Sequence, residues 1–445
     1  MKVIGMDIGT TSMSGILMES ETGSMVKTIS LPQSFLPDTL PSDALQSPRE
    51  IFCSCKKILD GLITATNDSI QAIAFSSQMH GMLYVDRDNH PLSPYYTWQN
   101  QWGLQKNEEG IPQEEALSQL YGLSLYTGYA LVTDSLLDRP ERAMCLCNIG
   151  DFVSAQLAGL SRPVSDVTLA SSMGLWDIEK NCFVREDPLF PSVLQKPTQI
   201  GTYRGIPLVS AIGDNQASFL GSVKDLDHTL LLNLGTSGQL SFYHHTGEVY
   251  RGFEKRPLGD LGFINVAFSL CGGDSYAILA SFFNKVLEAF GCEKREGIEQ
   301  QMDHLDFSHV TQKMKVSPLF LGERGKKESF ASFSHINKDN FTPEAMTLGL
   351  IEGIVDELWR FYDQLPLSIQ QEKSLLLGSG NGIKKNPLMK TIVEKVYGKK
   401  LIIQDEGEES ARGAAIHALV GIGLYPSYQV ALSSLFPASD TRKCD

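Results

Sequence analysis

The chain has 445 residues, 42% of them hydrophobic and 20% charged, which is an ordinary globular composition with length enough for two or three domains and a sizeable core. It carries 52 acidic against 38 basic side chains, a formal net charge of −14, so its surface repels polyanions and excludes nucleic acid as the expected partner. No basic cluster suits a membrane surface, the opening run MKVIGMD is too short for a signal peptide and is broken by Asp7, and no stretch nears the ~18 consecutive apolar residues of a membrane span, so the expected setting is the cytoplasm.

Strand-like runs alternate with helical ones along the whole chain, which predicts an α/β fold. Residues 3–7 and 15–18 read as a hairpin around GTTSM. Residues 70–76 form a strand before QMHG, and 82–86 another after it. The Cys53/Cys55 and Cys145/Cys147 pairs lack further ligands at zinc spacing and read as free thiols. Residues 97–128 look like a polar insertion with helices, and 152–157 are helical. Residues 207–213 form a strand that leads into a helix opening at Asp214. A second unit starts near Leu230 with LLNLGTSGQLSF, which repeats the opening strand–turn–strand half a chain later. Amphipathic helices follow at 275–288 and 347–362. SLLLGSGNGI reads as a strand with a glycine-rich turn, 384–397 as a helix, LIIQ as a short strand and 409–420 as an alanine-rich helix. The boundary falls within 221–227, giving domains of residues 1–222 and 223–445.

Gly-Thr-Thr and Gly-Thr-Ser turns have two chemical assets. Glycine lets the backbone bend and bring its N–H groups close to a ligand, and the hydroxyls add donors, so the turn becomes a nest for phosphate oxygens. Hairpin turns are rich in Gly, Ser and Thr anyway, but two matching turns in two halves of a chain suggest a duplicated unit gripping a nucleotide across a cleft. LLLGSGNGI is neither a Walker loop nor a dinucleotide fingerprint. It fits either an ordinary strand-to-helix loop or close packing against a nucleoside. Asp214 fits either a helix N-cap or a carboxylate held at a strand's C-terminal end, where it can take a proton from an attacking hydroxyl. Asp7, inside an apolar strand, needs compensation, and either Mg²⁺ with its waters, the favoured reading, or buried hydrogen bonds would supply it.

The ordered set MDIGTTS, SSQMHG, TWQ, GDNQAS, NLGTS, LGER, GSGNG with KNP, and ESARGAA resembles the FGGY carbohydrate kinases of the actin-like ATPase superfamily, over nearly the whole chain. Within that family it is most similar to the sedoheptulokinases, with the xylulokinases next. The resemblance implies two ribonuclease-H-like domains closing on ATP and a sugar. It implies Asp214 as general base and Asp7 holding Mg²⁺ through water. Thr10, Thr11 and Ser12 would line the first phosphate turn, and Gly235, Thr236 and Ser237 the second. Gly378, Ser379, Gly380, Asn381 and Asn386 would flank adenosine. Met79, His80, Trp98, Gln99, Asn100, Asp214 and Asn215 would line the sugar pocket, with Trp98 either stacking on the sugar or belonging to the core. Glu323 and Arg324 would pair or hold interdomain loops.

The chain departs from the family pattern in TWQNQW. Asn100 stands where relatives have an acid and Trp102 where they have an arginine, and an amide keeps an acceptor but loses the charge. The lysine-containing signature expected after TGYA is also missing. The expected reaction is phosphorylation of the terminal hydroxyl of a ketose, sedoheptulose first and a pentulose such as xylulose or ribulose next. The rival is a non-catalytic nucleotide-dependent sugar sensor on the same fold. A homodimer is compatible with either.

Overall fold

The computed structural model describes residues 1–259, 262–323, 328–403 and 407–437. Strands β1 (Lys2–Ile8), β2 (Ser12–Glu19) and β3 (Met25–Pro32) form an antiparallel meander. Helix α1 (Pro48–Ile63) then crosses over to β4 (Ile70–Ser77), which pairs parallel with β1. Ser47 accepts from the Glu50 N–H and Pro48 follows it, a strong start signal for α1. The helix buries Ile51, Cys55, Ile58, Leu59 and Leu62, an apolar stripe at helical spacing. Beyond helix α2 (Ile149–Ala158), the chain returns through β5 (Gln199–Tyr203), β6 (Ile206–Val209) and β7 (Ile212–Gly213) to helix α3 (Asp214–Ser222).

The second half repeats this plan. Strands β8 (Thr229–Leu234), β9 (Gly238–His244), β10 (Glu254–Pro257) and β11 (Phe263–Ser269) precede helices α4 (Gly273–Ala289) and α5 (Pro343–Asp363). Strand β12 (Leu375–Ser379), helices α6 (Asn381–Lys385) and α7 (Pro387–Tyr397), strand β13 (Leu401–Ile403) and helices α8 (Glu409–Gly421) and α9 (Tyr428–Leu435) complete it. The order β6-β4-β1-β2-β3 in one sheet is matched by β13-β12-β8-β9-β11 in the other. Each set has two parallel and two antiparallel pairings in the same places. The repeated strand–turn–strand is therefore the first hairpin of each sheet.

Period-two alternation explains why β1 and β8 are apolar on both faces. Ile4, Met6 and Ile8 pack with α1, while Val3 faces the other way into a core shared with α3 and α8. In β8, Leu230, Leu232 and Leu234 pack with α5, and Leu231 enters the same shared core. Helices α3 and α8 thus lie between the two sheets. They cross at glycines: a Cβ on Gly413 would sit 1.8 Å from the Ala217 carbonyl oxygen, and one on Gly221 would sit 1.9 Å from that of Glu409.

Two expected elements are divided. The strand expected over 207–213 breaks at Ser210 and Ala211, because pairing with β4 shifts by one residue between Leu208↔Ile73 and Ile212↔Ser76. The helix expected over 384–397 breaks at Asn386, where Pro387 cannot continue an incoming helix and Asn386 caps a new one.

Candidate active site

Asp7 is the third residue, after Val3 and Gly5, on the face of β1 that meets α8, and it stands at the strand's C-terminal end. Ser76, its partner across the pairing with β4, donates to Asp7 Oδ1 at 2.8 Å. Asp214 follows Gly213, which pairs with Ser77. Gly213 is the N-cap of α3, and Asp214 is its first helical residue rather than the cap. Glu408, at φ 64° just before α8, accepts from Ser14 Oγ. Burial and the charges of Asp214 and Glu408 push Asp7 up to about 7. Burial pushes Asp214 up to about 6, against the pull of the Arg256 guanidinium and the Asn215 backbone N–H. Three carboxylates from three elements therefore crowd one region without converging closely enough to ligate one ion directly.

The first turn rests on a glutamine network. Gln33 donates to the Gly9 carbonyl at 2.6 Å, Gln46 to the Thr10 carbonyl at 2.7 Å, and Gln78 to Gln46 at 2.9 Å. Thr10 Oγ1 donates to Gln78 and accepts the Trp98 indole N–H at 2.9 Å, while Thr11 and Ser12 are exposed. The second turn rests on the start of α4: the N–H of Gly273 donates to the Gly235 carbonyl at 2.8 Å and that of Asp274 to the Thr236 carbonyl at 3.1 Å. Thr236 is exposed and Ser237 partly so.

Ser379, Gly380 and Asn381 line a cavity of about 240 Å³ together with Ser218 of α3, Asn233 of β8, Lys384 and Glu409. Gly380 has φ 87°, and a Cβ there would sit 2.4 Å from the Leu234 carbonyl oxygen, so only glycine lets this loop lie against the end of β8. Gly378 is not among the lining residues; it packs against Leu401. Asn386 lies elsewhere. It is buried, accepts from the Met389 N–H at 2.9 Å and donates to Asp303 at 2.8 Å.

Met79 and His80 line a second cavity of about 410 Å³, which is closed on its other side by Phe253, Glu254, Arg256 and Pro257 around β10. His80, at φ 71°, stacks on Tyr129 with ring centroids 4.5 Å apart, and its Nδ1 lies 2.7 Å from the Ser172 carbonyl oxygen. Asn215 Nδ2 donates to Gln239 at 3.4 Å, and its Oδ1 is a buried atom with no hydrogen-bond partner in the protein. Trp98 and Gln99 are exposed and lie outside this lining, with Trp98 over the first turn. Asn100 is fully buried: its amide donates to the Asp43 carbonyl and accepts from the Trp102 N–H, so it braces the loop from behind. Trp102 donates to Asp43 Oδ1 at 2.8 Å. Arg324 lies outside the described residues.

Sequence reasoning missed Ser218, Asn233, Glu254 and Arg256. Ser218 and Asn233 do lie inside motifs it quoted, GDNQAS and NLGTS, as Glu409 does in ESARGAA, whereas Lys384 falls between GSGNG and KNP and Glu408 just before ESARGAA; their part in the site depends on chain distant in sequence. Among the described residues no helix is long and apolar enough to cross a membrane, and every described cysteine is a free thiol.

Residues 2–186 match the model of the FGGY family of carbohydrate kinases, N-terminal domain. Sedoheptulokinase of Mus musculus is 23% identical over 453 residues, covering 88% of this chain and 92% of that protein. Gluconokinase of Bacillus subtilis (strain 168) is 22% identical over 472 residues, covering 96% and 88%. The crystal structure of xylulose kinase from Rhodospirillum rubrum superposes with a TM-score of 0.82 at 19% identity, covering 98% of this chain and 92% of that one.

Proposed function

The chain carries an FGGY carbohydrate kinase domain and is a sugar phosphotransferase of the actin-like ATPase fold, and from that premise we propose that it transfers the γ-phosphoryl group of ATP to the terminal hydroxyl of a ketose, sedoheptulose first. The observation that carries this reading is the position of Asp214. It lines neither cavity, but it lies one helical turn before Ser218, which lines the 240 Å³ cavity, follows Gly213, which packs against Met79, and lies within the field of Arg256, Met79 and Arg256 both lining the 410 Å³ cavity. A half-buried carboxylate raised to about 6, close to walls of both cavities, is suited to take a proton at the junction of nucleotide and acceptor.

In this reading the sugar lies against Met79 and His80 with its terminal hydroxyl at Asp214. Asp214 accepts the hydroxyl proton as that oxygen attacks the γ-phosphorus in line, and ADP leaves on the side of Ser379, Gly380 and Asn381. Thr11 and Ser12 in one turn, and Thr236 and Ser237 in the other, hold the phosphates by hydroxyl and backbone N–H groups. Positioning and charge stabilisation supply most of the catalysis in such a transfer. The two units, residues 1–222 and 223–445, would close on the ligands and exclude water.

The donor set fits a hard divalent cation. Asp7, Asp214 and Glu408 bring negative charge together, and carboxylate oxygens are the donors a hard cation or its waters prefer. Mg²⁺ bound there would neutralise charge on the β- and γ-phosphates. Asp7, fixed by Ser76, is the residue that would orient its hydration shell.

The test is ADP release from Mg-ATP with sedoheptulose, xylulose, ribulose, fructose, glycerol and rhamnulose, each against a sugar-free blank. One ketose well above the others and the blank supports the reading. ATP binding without sugar-dependent release favours a sensor instead.

A further inference from the structure

The wall of the 410 Å³ cavity on the side of the second sheet is strand β10. By the two-residue period of a strand, Glu254 and Arg256 project to one face, and both line the cavity. Arg256 is only 13% exposed. Its Nη2 lies 3.1 Å from Glu254 Oε2, its guanidinium sits 4.8 Å from the centroid of the Phe268 ring, and its Nη1 is 4.0 Å from Met79 Sδ. Gln216, two residues after Asp214, fixes the end of the strand by donating to the Pro257 carbonyl at 3.1 Å. A cation from the second sheet is thereby delivered beside the base and the acceptor loop of the first.

We propose that the Glu254–Arg256 pair determines acceptor specificity, with Arg256 donating to hydroxyls of an uncharged polyol and Glu254 keeping sugar acids out. This rests on the kinase reading above and deepens it to a substrate class.

The guanidinium fork matches a carboxylate, so a buried arginine without a counter-charge in a sugar site would favour an aldonate. Here Glu254 already takes one arm of the fork, and Asp214 lies within the field of the same guanidinium. A carboxylate brought by the substrate would meet two fixed carboxylates around one cation. Lys255 lines the cavity as well but does not make up the difference, because its Nζ turns to the Gly247 carbonyl at 2.7 Å and lies 4.8 Å from the Phe263 ring centroid. The remaining guanidinium N–H groups are suited to neutral hydroxyls.

The experiment measures kcat and KM for sedoheptulose, xylulose and gluconate in the full-length wild type, E254Q, R256Q and R256K, with KM for ATP and melting temperature as controls. The wild type is expected to favour a ketose over gluconate by about 100-fold or more in kcat/KM. E254Q should narrow that ratio about 10-fold or more, through a lower KM for gluconate. R256Q should raise the ketose KM about 10-fold with the ATP KM unchanged, and R256K should recover part of it. A wild type that prefers gluconate, or an E254Q ratio equal to that of wild type, overturns the pair while leaving a kinase. No release with any sugar overturns the kinase reading and the pair with it. If E254Q does not fold, the wild-type ratio and the KM split in R256Q decide.

Discussion

Replacing Asp7 by Asn should stabilise the protein while disabling it. Asp7 is a carboxylate among carboxylates, raised from 3.8 to about 7 by burial and by the Asp214 and Glu408 charges. The folded state therefore binds this proton more tightly than the unfolded chain does. Its stability falls as pH rises from about 4 to about 7, and the cost is complete above that window. Taken at face value, the shift corresponds to about 4 kcal/mol at pH 8 and to about two fifths of that at pH 5. Asp7 is only partly buried and keeps its bond from Ser76, so a gain of about 1–2 kcal/mol at pH 8 is the expected outcome. An amide keeps the Ser76 bond and removes the charge. The assay is urea unfolding of wild type and D7N at pH 8 and pH 5 without divalent cations, repeated at pH 8 with excess Mg²⁺. The advantage of D7N should shrink at pH 5, and Mg²⁺ should raise the stability of the wild type more than that of D7N. A D7N no more stable than wild type at pH 8, or an advantage that does not change with pH, would refute the electrostatic argument.

Three further outcomes follow from other parts of the molecule. Gly413→Ala would place a methyl 1.8 Å from the Ala217 carbonyl oxygen and force α3 and α8 apart, so urea unfolding should show a loss of about 2 kcal/mol or more. Trp98→Phe removes the indole N–H bond to Thr10, worth about 1 kcal/mol, and should raise the ATP KM several-fold with little effect on the sugar KM, the reverse of what a sugar-stacking tryptophan would give. Because Asp214 is held at about 6 and must be ionised to accept a proton, kcat should fall on the acid side with an apparent pKa near that value, measured with saturating substrates.

What the sequence carried best was anything encoded by local repetition. Two hairpins with matching turns implied two matching sheets, and the strand orders agree in five positions. Local chemistry also marked helix starts, but not always correctly. Asp214 was a reasonable cap by residue type, yet Gly213 occupies that position. Asn386 and Pro387 carried a start signal inside what looked like one helix. The polar residues of TWQNQW could not be sorted by type alone. Asn100 and Trp102 both turn to Asp43, more than fifty residues earlier, and only the folded loop shows that they face away from the acceptor cavity. Arg256 left no trace in any motif. Its place depends on an edge strand of the second sheet reaching the loop around Met79, a contact across 177 residues that no short-range pattern encodes.

The central claim is that Asp214 takes the proton of a sugar hydroxyl while a separate set of residues holds ATP. Its most direct test follows transfer of labelled γ-phosphate from ATP to the preferred ketose in wild type and D214N, alongside ATP affinity by calorimetry. The account predicts labelled sugar phosphate from the wild type, loss of transfer by about 1,000-fold or more in D214N, and ATP affinity within about threefold of wild type. A D214N that turns over at an ordinary rate would contradict it.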